Sequence, residues 1–455
     1  MTSLDPSSIL LDPDYVLSPG EPSLWKQPEV AAAKGEERVV RTAPELLRAP
    51  MCIEDLGVSE GLVIGLFLKH AYKAGNCTIR DLSASLCLTV ELVESVFHKL
   101  KSQNFFEIRG MYGDDFNFVL THAGKNAAIE RLQLSQYYGP VPVPLSSYEI
   151  VVRSQVARTR LNRTKLAKAY ADLTLPPDLI DRLGPALTAQ KSMFLYGPSG
   201  TGKSSLAERV LRIYEDRVAV PYAIEIDGNI VAVFDPSVHQ RTSTQRADDD
   251  PRWVFCSRPS IVVGGELVPS MLEMQREVDG GLFIAPLHMK ANNGIFVVDD
   301  FGRQQISARD LLNRWIVPLD RRTDYLTISG VKFAIPFEVF VVFSTNLNPA
   351  ELADEAFLRR IPNKILVDAV TPALFDEIVE LRVQKTRWDV GPGAVQHLRE
   401  VCRAKGGSLR PCYPRDIFLI IESIAEFEER APALTISDVD RAAELYFGGT
   451  EVRPE

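Results

Sequence analysis

The 455-residue sequence predicts an α/β fold with a parallel central sheet, and three observations carry that expectation. Between residues 174 and 367, apolar strand-like runs alternate with helix-compatible stretches, the pattern of strands joined by crossover helices. Inside that region the apolar run Met193-Phe194-Leu195-Tyr196 leads into Gly197-Pro198-Ser199-Gly200-Thr201-Gly202-Lys203-Ser204, a glycine-rich phosphate-binding pattern set between strand and helix. Residues 368–450, by contrast, carry helical periodicity alone.

Composition narrows the class. Apolar content of 45% and charged content of 24% are ordinary for a globular protein. A net charge of −9 excludes a chain that coats nucleic acid as a polycation. Apolar stretches such as 337–343 fall far short of the roughly 20 residues of a membrane span, so no membrane insertion is expected. The N-terminus is acidic and Pro-rich, without a basic-then-apolar leader pattern. Six cysteines (Cys52, Cys77, Cys87, Cys256, Cys402, Cys412) are scattered without C-x-x-C spacing. They read as reduced thiols in a cytoplasmic protein that needs no structural metal.

In chain order, residues 1–48 are rich in Pro, Ser and charge and read as a flexible tail or strap. Residues 49–136 predict an α+β unit. Helices over 59–74, 78–87 and 89–104 precede two strands, 105–111 and 116–120, joined by Tyr112-Gly113-Asp114-Asp115, and a helix over 123–134 follows. Three helices and a hairpin resemble a winged helix, whose third helix often enters a DNA major groove. Residues 59–136 hold eight Lys/Arg and eight Asp/Glu, however, and Glu91 and Glu94 open the third helix. Protein docking is therefore favoured over DNA, since DNA readers present a basic face. Residues 137–173 begin with Gly139-Pro140-Val141-Pro142-Val143-Pro144, a stiff linker. A basic helix follows, with Arg153, Arg158, Arg160, Arg163, Lys165 and Lys168; it is either a solvated face or a contact with the acidic nucleotide region or a polyanion.

The chemistry of residues 174–367 starts at the glycine loop. Its glycines let successive N–H groups turn inward as an anion nest, and the next helix aims its positive end at the same place. Residues Gly197 to Ser205 form the cradle, Lys203 charges it toward the β- and γ-phosphates, and the Ser204 hydroxyl can ligate Mg²⁺. Further on, the apolar strand 295–298 ends in Asp299-Asp300, at the strand end where open α/β sheets bind ligands. Asp299 would hold Mg²⁺ through water; Asp300 would position or polarise the attacking water. The strand 337–343 ends in Ser344-Thr345-Asn346, and Asn346 can orient that water or sense the γ-phosphate. Polar residues 241–250 read as a mobile spacer, and 222–234 around Asp227-Gly228 as a hairpin of no assigned role.

Residues 185–450 then resemble the AAA+ ATPases, with Walker A at 197–204, Walker B at 295–300, sensor 1 at Asn346, a finger segment at Arg359-Arg360, sensor 2 at Arg415 and a helical lid at 368–450. The resemblance implies that Arg359 or Arg360 reaches a neighbouring subunit's site and that Arg415 contacts the γ-phosphate of its own. Arginine bonds phosphate oxygens bidentately, which suits both tasks. The chain departs from the family at Asp300, where Glu is usual; Asp is one methylene shorter, which bears on the hydrolysis rate. A helix over 307–319 followed by a hairpin over 325–333 is similar to the pre-sensor-1 hairpin of MoxR-type ATPases and of enhancer-binding activators. Residues 264–283, with Met271, Leu272, Met274 and Val278, are similar to their helix-2 insert facing the ring pore, or form a buried helix.

The expected function is that of an ATPase, binding ATP and Mg²⁺ in a homo-oligomeric, hexameric ring that remodels an unidentified protein partner as MoxR-like chaperones do. The alternatives are a DNA-binding regulator, although the activators' sigma-contacting loop is absent, and a nucleotide-gated scaffold with slow hydrolysis.

Overall fold

In the computed structural model, residues 47–156, 161–242, 246, 248–277, 281–352 and 355–448 are described. The central sheet has five parallel strands: β1 (Met193–Tyr196), β2 (Ser260–Val263), β3 (Ile295–Val298), β4 (Phe340–Thr345) and β5 (Asn363–Leu366), in spatial order β2-β3-β4-β1-β5. Alternate residues feed two apolar layers. Phe194, Phe296, Val298 and Phe343 face Trp315 of the helix Ala308–Arg321. Met193, Leu195, Ile295, Val297 and Val342 face Leu183 and Leu187 of the helix Pro177–Thr188. Such two-sided cover is why these strands are apolar throughout.

The N-terminal unit has helices Glu60–Ala74, Ile79–Leu86, Val90–Ser102 and His122–Leu134 and strands Phe106–Tyr112 and Asp115–Leu120. A short strand absent from the sequence reading, Cys77–Thr78, pairs antiparallel with Asp115–Leu120 and completes a three-stranded sheet. Thr78 therefore ends a strand and caps the second helix, exchanging hydrogen bonds with Asp81 as a capping box. Of the two acids in the hairpin turn, Asp115 is buried and accepts from Ile79 N and Arg80 N, while Asp114 pairs with Arg80 at the surface. Phe97 of the third helix stacks on Phe106 and packs against Phe118, its ring centroid 4.5 Å from the latter.

Residues 137–144 are not an open linker. Tyr137, Val141 and Val143 are buried, and Val143–Pro144 pairs in parallel with Ala223–Ile226. An extended Pro-rich segment suits a sheet edge, where proline's missing N–H faces away from the ladder. The basic stretch is two short helices, Leu145–Ser154 and Arg163–Ala169, rather than one. Arg158 and Arg160 lie outside the described residues. Arg153 pairs with Glu338, Arg163 with Asp181 and Lys168 with Glu215, so these cations face acids of the same chain.

Between the glycine loop and β2 the chain builds antiparallel structure. Arg217–Pro221 pairs with Trp253–Ser257, and Ala223–Ile226 with Asn229–Ala232. Asp227 at φ 48° and Gly228 at φ 78° make the tight turn of this second hairpin. The hairpin has a structural role: Ala223 and Ile230 enter the apolar cluster of the N-terminal unit beside Leu56, Tyr137 and Val141. The spacer 241–250 is anchored at its far end, where Ala49 N donates to Asp248 O and Asp250 N to Leu47 O.

The segment 264–277 is not a helix. It holds one 3-10 turn, Pro269–Leu272, and a two-residue strand, Gln275–Arg276, that pairs with Leu282–Ile284. Leu272 is buried, and the half-buried Met271 and Met274 pack on apolar clusters of the same chain; Val278 and Gly280 lie outside the described residues. The hairpin expected over 325–333 is Thr323–Ile328 with Val331–Pro336, one face buried through Leu326, Ile328 and Ile335.

A buried charge network pins that hairpin. Asp324 accepts from Arg314 Nη1 at 2.6 Å and Nη2 at 2.9 Å, its Oδ2 lies 2.8 Å from His288 Nε2, and Arg314 also bonds Glu273. Burial raises the Asp324 carboxyl, but His288 and Arg314 outweigh it and hold it at about 2. Its native value lies below the unfolded one, so this stabilisation is complete above about pH 4 and is lost as pH falls toward 2. Asp324→Ala is expected to destabilise the protein by about 1–3 kcal/mol, because it removes the buried acceptor of the half-buried Arg314 guanidinium, which then keeps only Glu273 and Leu272 O. Denaturant unfolding at pH 7 checks this; a loss below about 1 kcal/mol would mean that the network holds nothing.

Four helices, Pro372–Thr386, Ala394–Gly406, Cys412–Phe427 and Ile436–Phe447, form the C-terminal layer around Phe375, Val379, Leu398, Ile417 and Ile421. Among the described residues no helix is long and apolar enough to cross a membrane.

Candidate nucleotide site

The β1 strand delivers the chain to the glycine loop, and the loop closes because glycines occupy its tight points. Gly197 has φ 140°, and a Cβ there would sit 2.3 Å from Val367 O, just beyond β5. Gly200 has φ 78°, and a Cβ there would meet Cys412 Sγ of the C-terminal layer at 2.5 Å. Any side chain at either position would separate the loop from its neighbours. Thr201 Oγ1 donates to Pro198 O at 3.0 Å and closes the turn.

Lys203 links loop and sheet. Its Nζ donates to Gly197 O at 2.9 Å, Pro198 O at 2.7 Å and Asn346 Oδ1 at 2.6 Å. Asn346, at the tip of β4, turns its Nδ2 toward Asp300 Oδ1 at 3.4 Å. A polar chain therefore runs Lys203–Asn346–Asp300 across the ends of three strands. Burial lowers the Lys203 pKa, Asp299 and Asp300 oppose that, and Arg410 adds to it.

Asp299 and Asp300 leave β3 in a turn held by Gln304, whose Nε2 donates to Asp299 O at 2.8 Å and Asp300 O at 3.1 Å. Thr345 Oγ1 donates to Phe301 O at 2.8 Å and ties this turn to β4. Asp300 has φ 49°, a left-handed conformation that Asp adopts more readily than most residues.

A cleft of about 940 Å³ lies between the sheet and the C-terminal layer. It gathers Ser199 through Ser205, Asp299, Asp300, Asn346 and Arg415. Arg415 is 65% exposed and donates from Nε to Asp416 Oδ1 at 2.9 Å. Beyond the loop, the half-buried Leu173 and Leu175 line the same cleft as Leu374 and Ile378, making an apolar slot suited to a flat ring. Arg359 and Arg360 are not among its lining residues. Arg359 is exposed, whereas Arg360 is half-buried and donates to Asp320 Oδ2 at 2.6 Å.

Three residues escaped the sequence reading: Gln304, Arg410 and Cys412. Arg410 Cδ comes within 3.6 Å of a Cβ built on Gly200, and Cys412 N donates to Gly200 O at 3.3 Å. Only Arg410 left a sequence signal, a cation five residues before Arg415. The donor set fits Mg²⁺. That ion takes one or two protein oxygens and fills its shell with water and phosphate, and Ser204 and Asp299 share the cleft. Among the described residues no group of three or more His, Cys, Asp or Glu could form an all-protein metal cage.

Residues 371–445 match a family model described as a domain of unknown function (DUF8689). No curated protein matches the chain in sequence. Among solved structures, a point mutant of RuvB from Thermotoga maritima is similar at 14% identity over 60% of this chain and 69% of its own, with a TM-score of 0.37. NtrX from Brucella abortus in complex with ADP is similar at 14% identity over 70% and 64%, with a TM-score of 0.38. NtrX in complex with ATP gives 14% identity over 70% and 68%, also at 0.38. The strand order and loop geometry make this chain an α/β protein built on a phosphate-loop parallel sheet under a helical C-terminal layer.

Proposed function

We propose that the protein is an AAA+-type ATPase that binds ATP in this cleft, hydrolyses it in a homo-oligomeric ring of six, and remodels a protein partner in the manner of MoxR-like chaperones. The observation that carries the reading is the Lys203–Asn346–Asp300 chain, which joins the phosphate cradle to a carboxylate beside Asp299. In this reading the loop N–H groups and Lys203 hold the β- and γ-phosphates, and the apolar slot takes the base. Asn346 and Asp300 orient a water toward the γ-phosphate, and Arg415 closes from the C-terminal layer. Mg²⁺ held by Ser204 and, through water, by Asp299 would neutralise phosphate charge.

Arg359, exposed and outside its own cleft, is the better candidate for the neighbour's site; the Arg360 guanidinium already bonds Asp320. The N-terminal unit, read as winged-helix-like, would recruit the partner. Its third helix exposes Glu91 and Glu94, which disfavours a duplex.

Assembly is tested by complementation. Arg359→Ala is expected to lower turnover about 10²-fold while ATP binding persists. Mixing it with Asp300→Asn chains should restore part of the activity, because some shared sites then hold an intact Asp300 and an intact Arg359. Additive, unrestored rates in the mixture would rule out a shared site.

A further inference from the structure

A carboxylate that orients water must hold one direction. The Asp300 carboxylate is exposed and, among the described residues, has no ion pair and one hydrogen-bond donor, Asn346 Nδ2 at 3.4 Å. A contact of that length steers a side chain only weakly, so the direction falls to the backbone. Asp300 sits at φ 49°, and an L-residue stays left-handed only where its surroundings impose it. The φ and ψ of a residue are the settings of the two rigid peptide planes that flank its Cα. Here those planes carry Asp299 O and Asp300 O, and the Gln304 amide donates to both, at 2.8 Å and 3.1 Å. Its Oε1 accepts from Gly302 N at 2.8 Å, so one side chain closes the turn from within. Arg303 N also donates to Asp300 O at 3.0 Å, whereas among the described residues Gln304 is the one donor to Asp299 O. Both flanks of the turn are anchored: Phe301 N donates to Ser344 O of β4 at 2.7 Å, and Gln305 N to Gly265 O, just past β2, at 3.2 Å.

We propose that Gln304 is a positioning residue for hydrolysis: by fixing both peptide planes around the Asp300 Cα, its amide aims the carboxylate at the water that attacks the γ-phosphate. This deepens the ATPase reading above and rests on it. Gln304 is not among the residues lining the cleft; it acts through Asp300. The clamp needs an amide. Two carbonyl oxygens call for two N–H donors, and the glutamine side chain carries two on one nitrogen. Glutamate has the same length, but its carboxylate has no donor and repels both carbonyls. Alanine leaves the planes free to turn, and the left-handed φ relaxes. Misplacing a catalytic group by about 1 Å costs about 10²-fold in rate, while the phosphate contacts of the glycine loop stay as they were.

The test measures single-turnover hydrolysis per bound ATP in the full chain, in Gln304→Ala and in Gln304→Glu, so that any misfolded chain drops out of the rate. Each substitution is also made in the Asp300→Asn chain. The proposal expects both variants to bind ATP within about twofold of wild type and to hydrolyse it about 10²-fold more slowly. With Asp300→Asn in place, either substitution should cost no more than about twofold further, because the group it positions is already gone. An equal loss in both backgrounds would make the effect of Gln304 independent of Asp300 and overturn the proposal. A wild-type rate in Gln304→Glu would overturn it too, and so would a rate restored by excess Mg²⁺, which places the effect at Asp299. If the wild-type chain hydrolyses ATP, Asp300→Asn does not, and both Gln304 variants turn over normally, this inference alone fails. If the wild-type chain does not hydrolyse ATP, or Asp300→Asn does so at full rate, the reading above falls and takes this inference with it.

Discussion

Lys203→Ala is expected to abolish measurable ATP binding, and all turnover with it. The ammonium is the one cation seated inside the glycine loop, hydrogen-bonded to two loop carbonyls and to Asn346. Charge-assisted hydrogen bonds contribute about 1.5–3 kcal/mol each, so losing two phosphate contacts weakens binding by roughly 10²-fold or more. The same substitution should leave the fold standing. Desolvation opposes the buried charge, which offsets the loss of a donor to Gly197 O, Pro198 O and Asn346 Oδ1. Titration with a fluorescent ATP analogue, alongside thermal unfolding, separates the two effects. Wild-type affinity in a folded Lys203→Ala chain would remove the loop from the mechanism.

Asp300→Asn should do the opposite: nucleotide is retained and hydrolysis stops, with a fall of about 10³-fold, within the range for a lost general base. Asn tolerates a left-handed backbone as Asp does, so the φ of 49° is preserved and geometry is not confounded with chemistry. The short Asp300 side chain suits this backbone, and Asn346 Nδ2 lies 3.4 Å from its Oδ1. Phosphate release measured beside bound nucleotide decides the matter. Rapid turnover by Asp300→Asn would pass the water-positioning role to another group.

Those residues were legible in the sequence because their signals are local. A glycine loop between a strand and a helix, an apolar strand ending in acids, and another ending in Asn346 each declare their place by spacing. The C-terminal helices were legible by periodicity, which marks their apolar faces without fixing ends such as those of Cys412–Phe427. What failed was non-local. Pro140 to Pro144 look like a linker until Ala223–Ile226 lies beside them, 80 residues on. Residues 264–277 suggest a helix until the chain is seen as a 3-10 turn, Pro269–Leu272, and a two-residue strand, Gln275–Arg276. Gln304 and Arg410 belong to no motif; only the folded chain sets Gln304 against Asp299 and Asp300 and Arg410 beside Gly200.

The joint between the N-terminal unit and the sheet region bears on how the protein can be cut. Ala223, Ile230 and Leu282 share one apolar cluster with the first three helices, and Arg252 reaches from its pair with Asp250 to Leu56 O and Pro142 O. Removing residues 49–144 would bare that greasy seam and open the flank of Ala223–Ile226 to self-association. The excised core would precipitate or form aggregates, so an activity lost on truncation would report exposed surface rather than a missing recruiter. Single exposed substitutions, such as Glu91→Lys on the third helix, interrogate recruitment without breaking the seam.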